Sequence, residues 1–162
     1  MSRKSALALV CAATLAPLLA CKDELEPPIP VALAADWQAD PGCAPPCAFT
    51  LSSGPDSLDL VRLGSRLFLA LQRNGGAELE FVITNDSLRR LLPGADSVRV
   101  VGVAWTEGDG LFLRGPAGTD SLIYTLTGDV LRLEFRHQFV RLDLNGDAIP
   151  DSAATTAVLR RR

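Results

Sequence analysis

Apolar and polar residues alternate along most of this chain. Leu67, Leu69 and Leu71 share one face of such a stretch, with Phe68, Ala70 and Gln72 on the other. Asn74-Gly75-Gly76 follows, residue types that tolerate positive φ and signal a hairpin. Leu79, Phe81 and Ile83 then alternate with Glu78, Glu80 and Val82, and Val101, Val103 and Trp105 set a further face. Glu107-Gly108-Asp109-Gly110 turns the chain into Leu111-Phe112-Leu113. Beyond it Leu122, Tyr124 and Leu126 lead to a Gly128-Asp129 turn. Leu131, Leu133 and Phe135 alternate with Arg132, Glu134 and Arg136. A period of two is the signature of half-buried strands. Counting from near Trp37 to near Leu159, the pattern predicts an all-β domain of about eight antiparallel strands. One segment departs from it. Asp86 to Pro93 has a capping-type start, leucines at helical spacing and a proline stop, which predicts a short helical turn near 87–92.

Consecutive hairpins without long crossovers favour an up-and-down meander. Closing it into a barrel would leave no exposed strand edge. A two-sheet β-sandwich is the alternative architecture.

The N-terminus carries an address. Arg3 and Lys4 precede an apolar run from Ala6 to Ala20, the layout of an export signal. The run is too short for a bilayer span, which takes about 20 apolar residues. It ends in Leu18-Leu19-Ala20-Cys21, which resembles the lipobox of bacterial lipoproteins. That resemblance implies cleavage after residue 20 and lipidation of Cys21, at its sulfur and at its new amino group. Several acyl chains on one residue meet the requirement for stable anchoring, at about 0.8 kcal/mol per buried CH₂. In the same family Asp after the lipidated Cys favours inner-membrane retention. Lys22 stands here, so the resemblance implies the outer membrane, facing the periplasm or the cell surface. Residues 21–35 contain Lys-Asp-Glu-Leu-Glu-Pro-Pro-Ile-Pro and read as a proline-rich tether, with the domain at 36–162.

Composition narrows the partners. Removing Arg3 and Lys4 with the signal takes the net charge from −3 to −5. An acidic chain without a basic cluster argues against nucleic acid. The one basic run, Arg160-Arg161-Arg162, reads as a solvated chain end, with contact to anionic headgroups as the lesser alternative. Cys43 and Cys47 in Cys-Ala-Pro-Pro-Cys suit an oxidising compartment and predict a disulfide closing a small loop. Redox chemistry is not expected, because thioredoxin-like sites use Cys-x-x-Cys. Nor is a zinc site, since there is no second ligand pair.

The order of motifs resembles small lipocalin-like lipoproteins of unknown function. The matching stretches are Leu58-Asp59-Leu60-Val61-Arg62-Leu63-Gly64, the Asn-Gly hairpin, Gly102-Val103-Ala104-Trp105 with Gly108-Asp109-Gly110, and Leu126-Thr127-Gly128-Asp129. The last is Asp143-Leu144-Asn145-Gly146-Asp147 before a terminal strand ending in Arg. Lipocalin-type barrels open with Gly-x-Trp, where this chain has Ala35-Asp36-Trp37. The resemblance implies a lipocalin-like barrel holding a small apolar or amphipathic ligand, and an eight-stranded barrel is just wide enough for one. A non-enzymatic structural or interaction lipoprotein, its barrel filled by its own side chains, is the alternative.

Enzymatic chemistry is not expected. His137 is the single histidine, and neither a Gly-x-Ser-x-Gly elbow nor a phosphate-binding glycine loop occurs. Asp143, Asn145, Asp147, the Ile149 carbonyl and Asp151 resemble the ligand spacing of calcium loops. Ala148 stands where a turn glycine is usual and Ala154 where a bidentate Glu is usual. Calcium is therefore the one cofactor the sequence suggests, with a plain acidic turn as the alternative.

Overall fold

A computed structural model describes residues 29–91, 97–142, 144 and 151–162, and leaves aside the side chains of 87, 90, 91, 137–142 and 151. Ten strands and one helix appear in the order β1 (Asp36–Ala39), β2 (Ala48–Ser53), β3 (Asp56–Asp59), β4 (Arg66–Leu71), β5 (Gly76–Val82), α1 (Asp86–Leu91), β6 (Ser97–Glu107), β7 (Gly110–Gly115), β8 (Gly118–Thr127), β9 (Val130–Leu142) and β10 (Asp151–Arg161). Eight of the strands, β1, β4 to β9 and β10, pair antiparallel around a closed barrel. Closure comes from β1 on β10, in the pairs Trp37↔Arg161 and Gln38↔Arg160. The up-and-down barrel expected from the alternation is therefore the fold, and its closure rules out the sandwich.

The β2–β3 hairpin is an addition that the alternation did not announce. It lies on the same edge of β10 as β1, further along, with Ala48↔Val158 and Ala154↔Ser52 in register. Close to where this second partner begins, the β9–β10 register shifts between Ala153 and Thr155, with the extra residues on β9 between Phe135 and Val140.

The inward faces are those with the bulkier aliphatic residues. Leu67, Leu69 and Leu71 of β4, Leu111 and Leu113 of β7, Leu122 of β8 and Leu131 and Leu133 of β9 are buried. From the closing strands Trp37, Ala39, Ala157 and Leu159 join them. Each fully buried aliphatic side chain contributes about 1.5–3 kcal/mol of transfer free energy, so this cylinder is the main source of stability. Phe49 of β2 reaches the same core, with ring centroids 5.0 Å from Phe81 and 6.3 Å from Phe135.

β6 departs from expectation. Val101, Val103 and Trp105 face outward, and Val101 is 58% exposed. The inward positions are Val100, Gly102 and Ala104, opposite Leu79, Ala77 and Leu113 respectively. A Cβ at Gly102 would lie 1.8 Å from the Arg114 carbonyl oxygen. Only glycine lets β7 approach this closely, so the register is set by backbone proximity rather than by the larger side chains.

Both ends of the barrel are closed. At the entry end lie residues 29–35, the turns at 72–75, 108–109 and 128–129, and the C-terminus. There the Pro30 carbonyl accepts hydrogen bonds from the Leu33 and Ala34 amides, both at 2.9 Å, and Ile29 and Leu33 are buried. Residues 29–35, part of the expected tether, thus pack onto the barrel. The far end carries the β1–β2 loop, the β3–β4 loop and α1. Leu60, Ile83 and Leu88 are each at most 1% exposed there and belong to the core. α1 is the short helix expected near 87–92.

Candidate functional site

A closing constellation sits at the entry end. Trp37 is wholly buried, and its Nε1 donates to the Leu33 carbonyl at 2.9 Å. The Arg161 guanidinium lies over the Trp37 ring, 5.0 Å from its centroid, and donates from Nη2 to the Ala32 carbonyl. Its Nε is 3.9 Å from Asp129 of the β8–β9 turn. One side chain thereby joins the last strand, the first strand, the N-terminal turn and a hairpin. Arg161, still partly solvated, is thus more than the solvated chain end expected from the terminal Arg run, because its register opposite Trp37 sets its guanidinium against that ring. A Trp opening the first strand and an Arg ending the last were visible in the sequence. Their partnership needed the closing register.

The interior itself is occupied. Trp37, Leu69, Leu111, Leu122, Leu131, Leu133 and Leu159 are each at most 1% exposed. Among the described residues, a small space beside Leu79, Val100, Gly102 and Leu113, also bordered by Val103 and Arg114, holds about 10 Å³. That is room for one water molecule at most. The roomier spaces are open clefts on the outside.

One of these, about 580 Å³, lies where the β1–β2 loop meets the β3–β4 loop. Cys43 and Cys47 line it, paired at disulfide distance with Cα atoms 6.0 Å apart. Pro41, Pro45, Pro46 and Val61 add apolar wall. Asp59 supplies charge and is already engaged. Its Oδ1 accepts from the Val61 amide at 3.0 Å and the Phe49 amide at 3.3 Å, and its Oδ2 lies 3.4 Å from Arg62 Nε. The carboxylate thus ties the β2–β3 hairpin to the following loop. Sequence reasoning missed this role, because Asp59 appeared only within a loose motif.

On the outer wall Trp105 stacks on Phe112 at 5.2 Å between centroids and 11° between planes, with Arg114 4.9 Å above the Trp105 ring. Further along the outer face of β6, Arg99 Nε meets Glu78 Oε1 at 2.7 Å. That hydrogen bond and the carboxylate charge raise the Arg99 pKa above its ordinary value.

Several predicted site residues cannot be placed. Cys21 lies outside the described residues, as do Asp143, Asn145, Asp147 and Ile149. Asp151 opens β10, but its side chain, like that of His137 in β9, is outside the description. β9 ends and β10 begins at the far end of the barrel. Among the described residues no three His, Cys, Asp or Glu side chains gather in a metal-holding group. Comparison with protein-family models, with curated proteins and with solved structures finds no match.

Proposed function

We propose that this protein is a lipid-anchored, lipocalin-like lipoprotein of the cell envelope whose barrel is a filled, non-enzymatic scaffold acting through its outer surfaces. The observation that carries this reading is the occupied interior closed at both ends. A barrel that holds an apolar ligand needs a cavity of some 300 Å³ or more. Here seven large side chains occupy that space, and Arg161 and Leu88 lie near its two ends. The anchor rests on the export signal and on Leu18-Leu19-Ala20-Cys21. Lys22 favours the outer membrane.

The test is native mass spectrometry of the lipidated protein purified from its own host. The expected mass is the mature polypeptide plus its acyl groups, and an additional non-covalent small molecule would overturn the filled-scaffold reading. Cys21→Ser is expected to block processing or release the protein from membranes. A correctly cleaved Ser variant still in the membrane fraction would show that something else anchors it.

One observation favours a second reading. The 580 Å³ cleft beside Cys43 and Cys47 is large enough for a small amphipathic ligand and is mostly apolar. On that reading a bound molecule would shift the signals of Val61 and Val158 in an NMR titration and leave those of Leu131 and Leu133 unmoved.

A further inference from the structure

The chain enters the barrel close to where the sequence would anchor it. Ile29, the first described residue, is buried in the core, and only Lys22–Pro28 separate it from Cys21. Eight peptide steps, fully extended, span at most about 28 Å, and the prolines hold the real reach near 25 Å. The barrel is of similar height. The ten residues of β8 rise about 33 Å along the strand, or about 25 Å once tilted by about 40°. A tether this short can bring the far end to the bilayer only when stretched to its limit. The entry end can meet the bilayer with the tether slack.

That end also has a fitting surface. Val31, in the turn that caps the barrel, is 65% exposed, more than the other exposed large apolar residues Val98, Val101 and Val103. The acids of the neighbouring turns face arginines, Asp129 with Arg161 and Asp109 with Arg136. Among the described residues at that end, Arg73 and Arg162 stand with Asp36 and Glu107, so charge there neither drives nor forbids contact. The competing apolar patch at Val101 and Val103 lies on the side wall, where Glu78 and Glu80 of β5 are matched by Arg99, 2.7 Å from Glu78, and by Arg114 opposite Val103. Charge therefore does not separate the two surfaces; the tether length and the greater exposure of Val31 do.

We infer that the entry end is the membrane-apposed face, with Val31 in the lipid interface, and that the far end points away from the bilayer. This inference rests on the lipid-anchor reading. It leaves the β1–β2 loop with its Cys43–Cys47 pair, α1 and the ends of β9 and β10 as the surface offered to partners.

The test uses the full-length protein, processed and acylated in cells and reconstituted into vesicles of phosphatidylethanolamine and phosphatidylglycerol. A fluorophore is placed at Val31→Cys, Val101→Cys or Ala117→Cys in turn, all exposed positions, at the entry end, on the side wall and at the far end respectively. Quenching by nitroxide-labelled lipid is then read for each. The expected result is quenching severalfold stronger at 31 than at 101 or 117. Equal quenching, or a stronger effect at 101 or 117, overturns the inference. Intact mass separates the two ideas. A correctly acylated protein whose position 31 is not shielded defeats the orientation alone, whereas a chain without acyl mass defeats the anchor and the orientation with it.

Discussion

Arg161→Ala is the most informative single change, because that side chain joins four segments at the seam where the barrel closes. Three contacts are lost. The cation–π contact with Trp37, at 5.0 Å over a buried ring, is worth about 1 kcal/mol. A charge-assisted hydrogen bond such as that to the Ala32 carbonyl contributes about 1.5–3 kcal/mol when sheltered. Arg161 is 37% exposed, so the lower end applies. The Asp129 pair, at 3.9 Å with an Asp side chain 72% exposed, adds close to nothing. The expected cost is about 2–3 kcal/mol. At roughly 3–5 °C per kcal/mol for a domain of this size, that lowers Tm by about 6–15 °C. Urea denaturation of residues 22–162, followed by tryptophan fluorescence, measures it. Arg161→Lys retains the charge but lacks the planar group and is expected to recover only part of the loss. Arg162→Ala, one residue on and exposed, is the control and should change stability by less than about 0.5 kcal/mol. A loss at Arg161→Ala no greater than at Arg162→Ala would show that the closing contact does not hold the barrel.

Gly102→Ala should destabilise by about 1–3 kcal/mol, the usual cost of overpacking, because its Cβ meets the Arg114 carbonyl at 1.8 Å; an unchanged urea midpoint would mean that β6 and β7 are not this close. Unreduced intact mass should fall two hydrogens short of the dithiol value, and Cys43→Ser with Cys47→Ser should cost about 2 kcal/mol for so short a loop; thiols that alkylate without reductant would refute the pairing. The calcium reading of residues 143–151 calls for binding in the range of about 10⁻⁴–10⁻³ M, strengthened by Ala148→Gly because a calcium loop calls for a sharp turn at that position, which glycine adopts at no steric cost. Calorimetry giving no heat with either protein would leave the loop as a plain turn.

Strand content, the hairpin turns and the short helix were legible along the chain, because each is a local matter. Period-two alternation in β4, β5 and β9, Asn74-Gly75 at its turn and the leucine spacing of α1 carry their own physics within a few residues. So does the hydrophobic run before Cys21, which remains a reading of sequence alone. What the alternation could not decide was which face of β6 points inward. Both faces of Val100–Trp105 are apolar, and bulk favours Val101, Val103 and Trp105 for the core. The Arg114 carbonyl oxygen of β7 lies 1.8 Å from where a Cβ at position 102 would be, so glycine takes that inner position, and Trp105 is left to stack on Phe112 outside. The same holds for the β2–β3 hairpin, which exists because β10 is long enough to pair with two strands along one edge. Arg161 belongs with these. Its residue type is written in the sequence, but its place over Trp37 follows from the register of two strands more than a hundred residues apart. Local alternation settles what is a strand; how closely its neighbours approach once the barrel closes settles which side of it is the core.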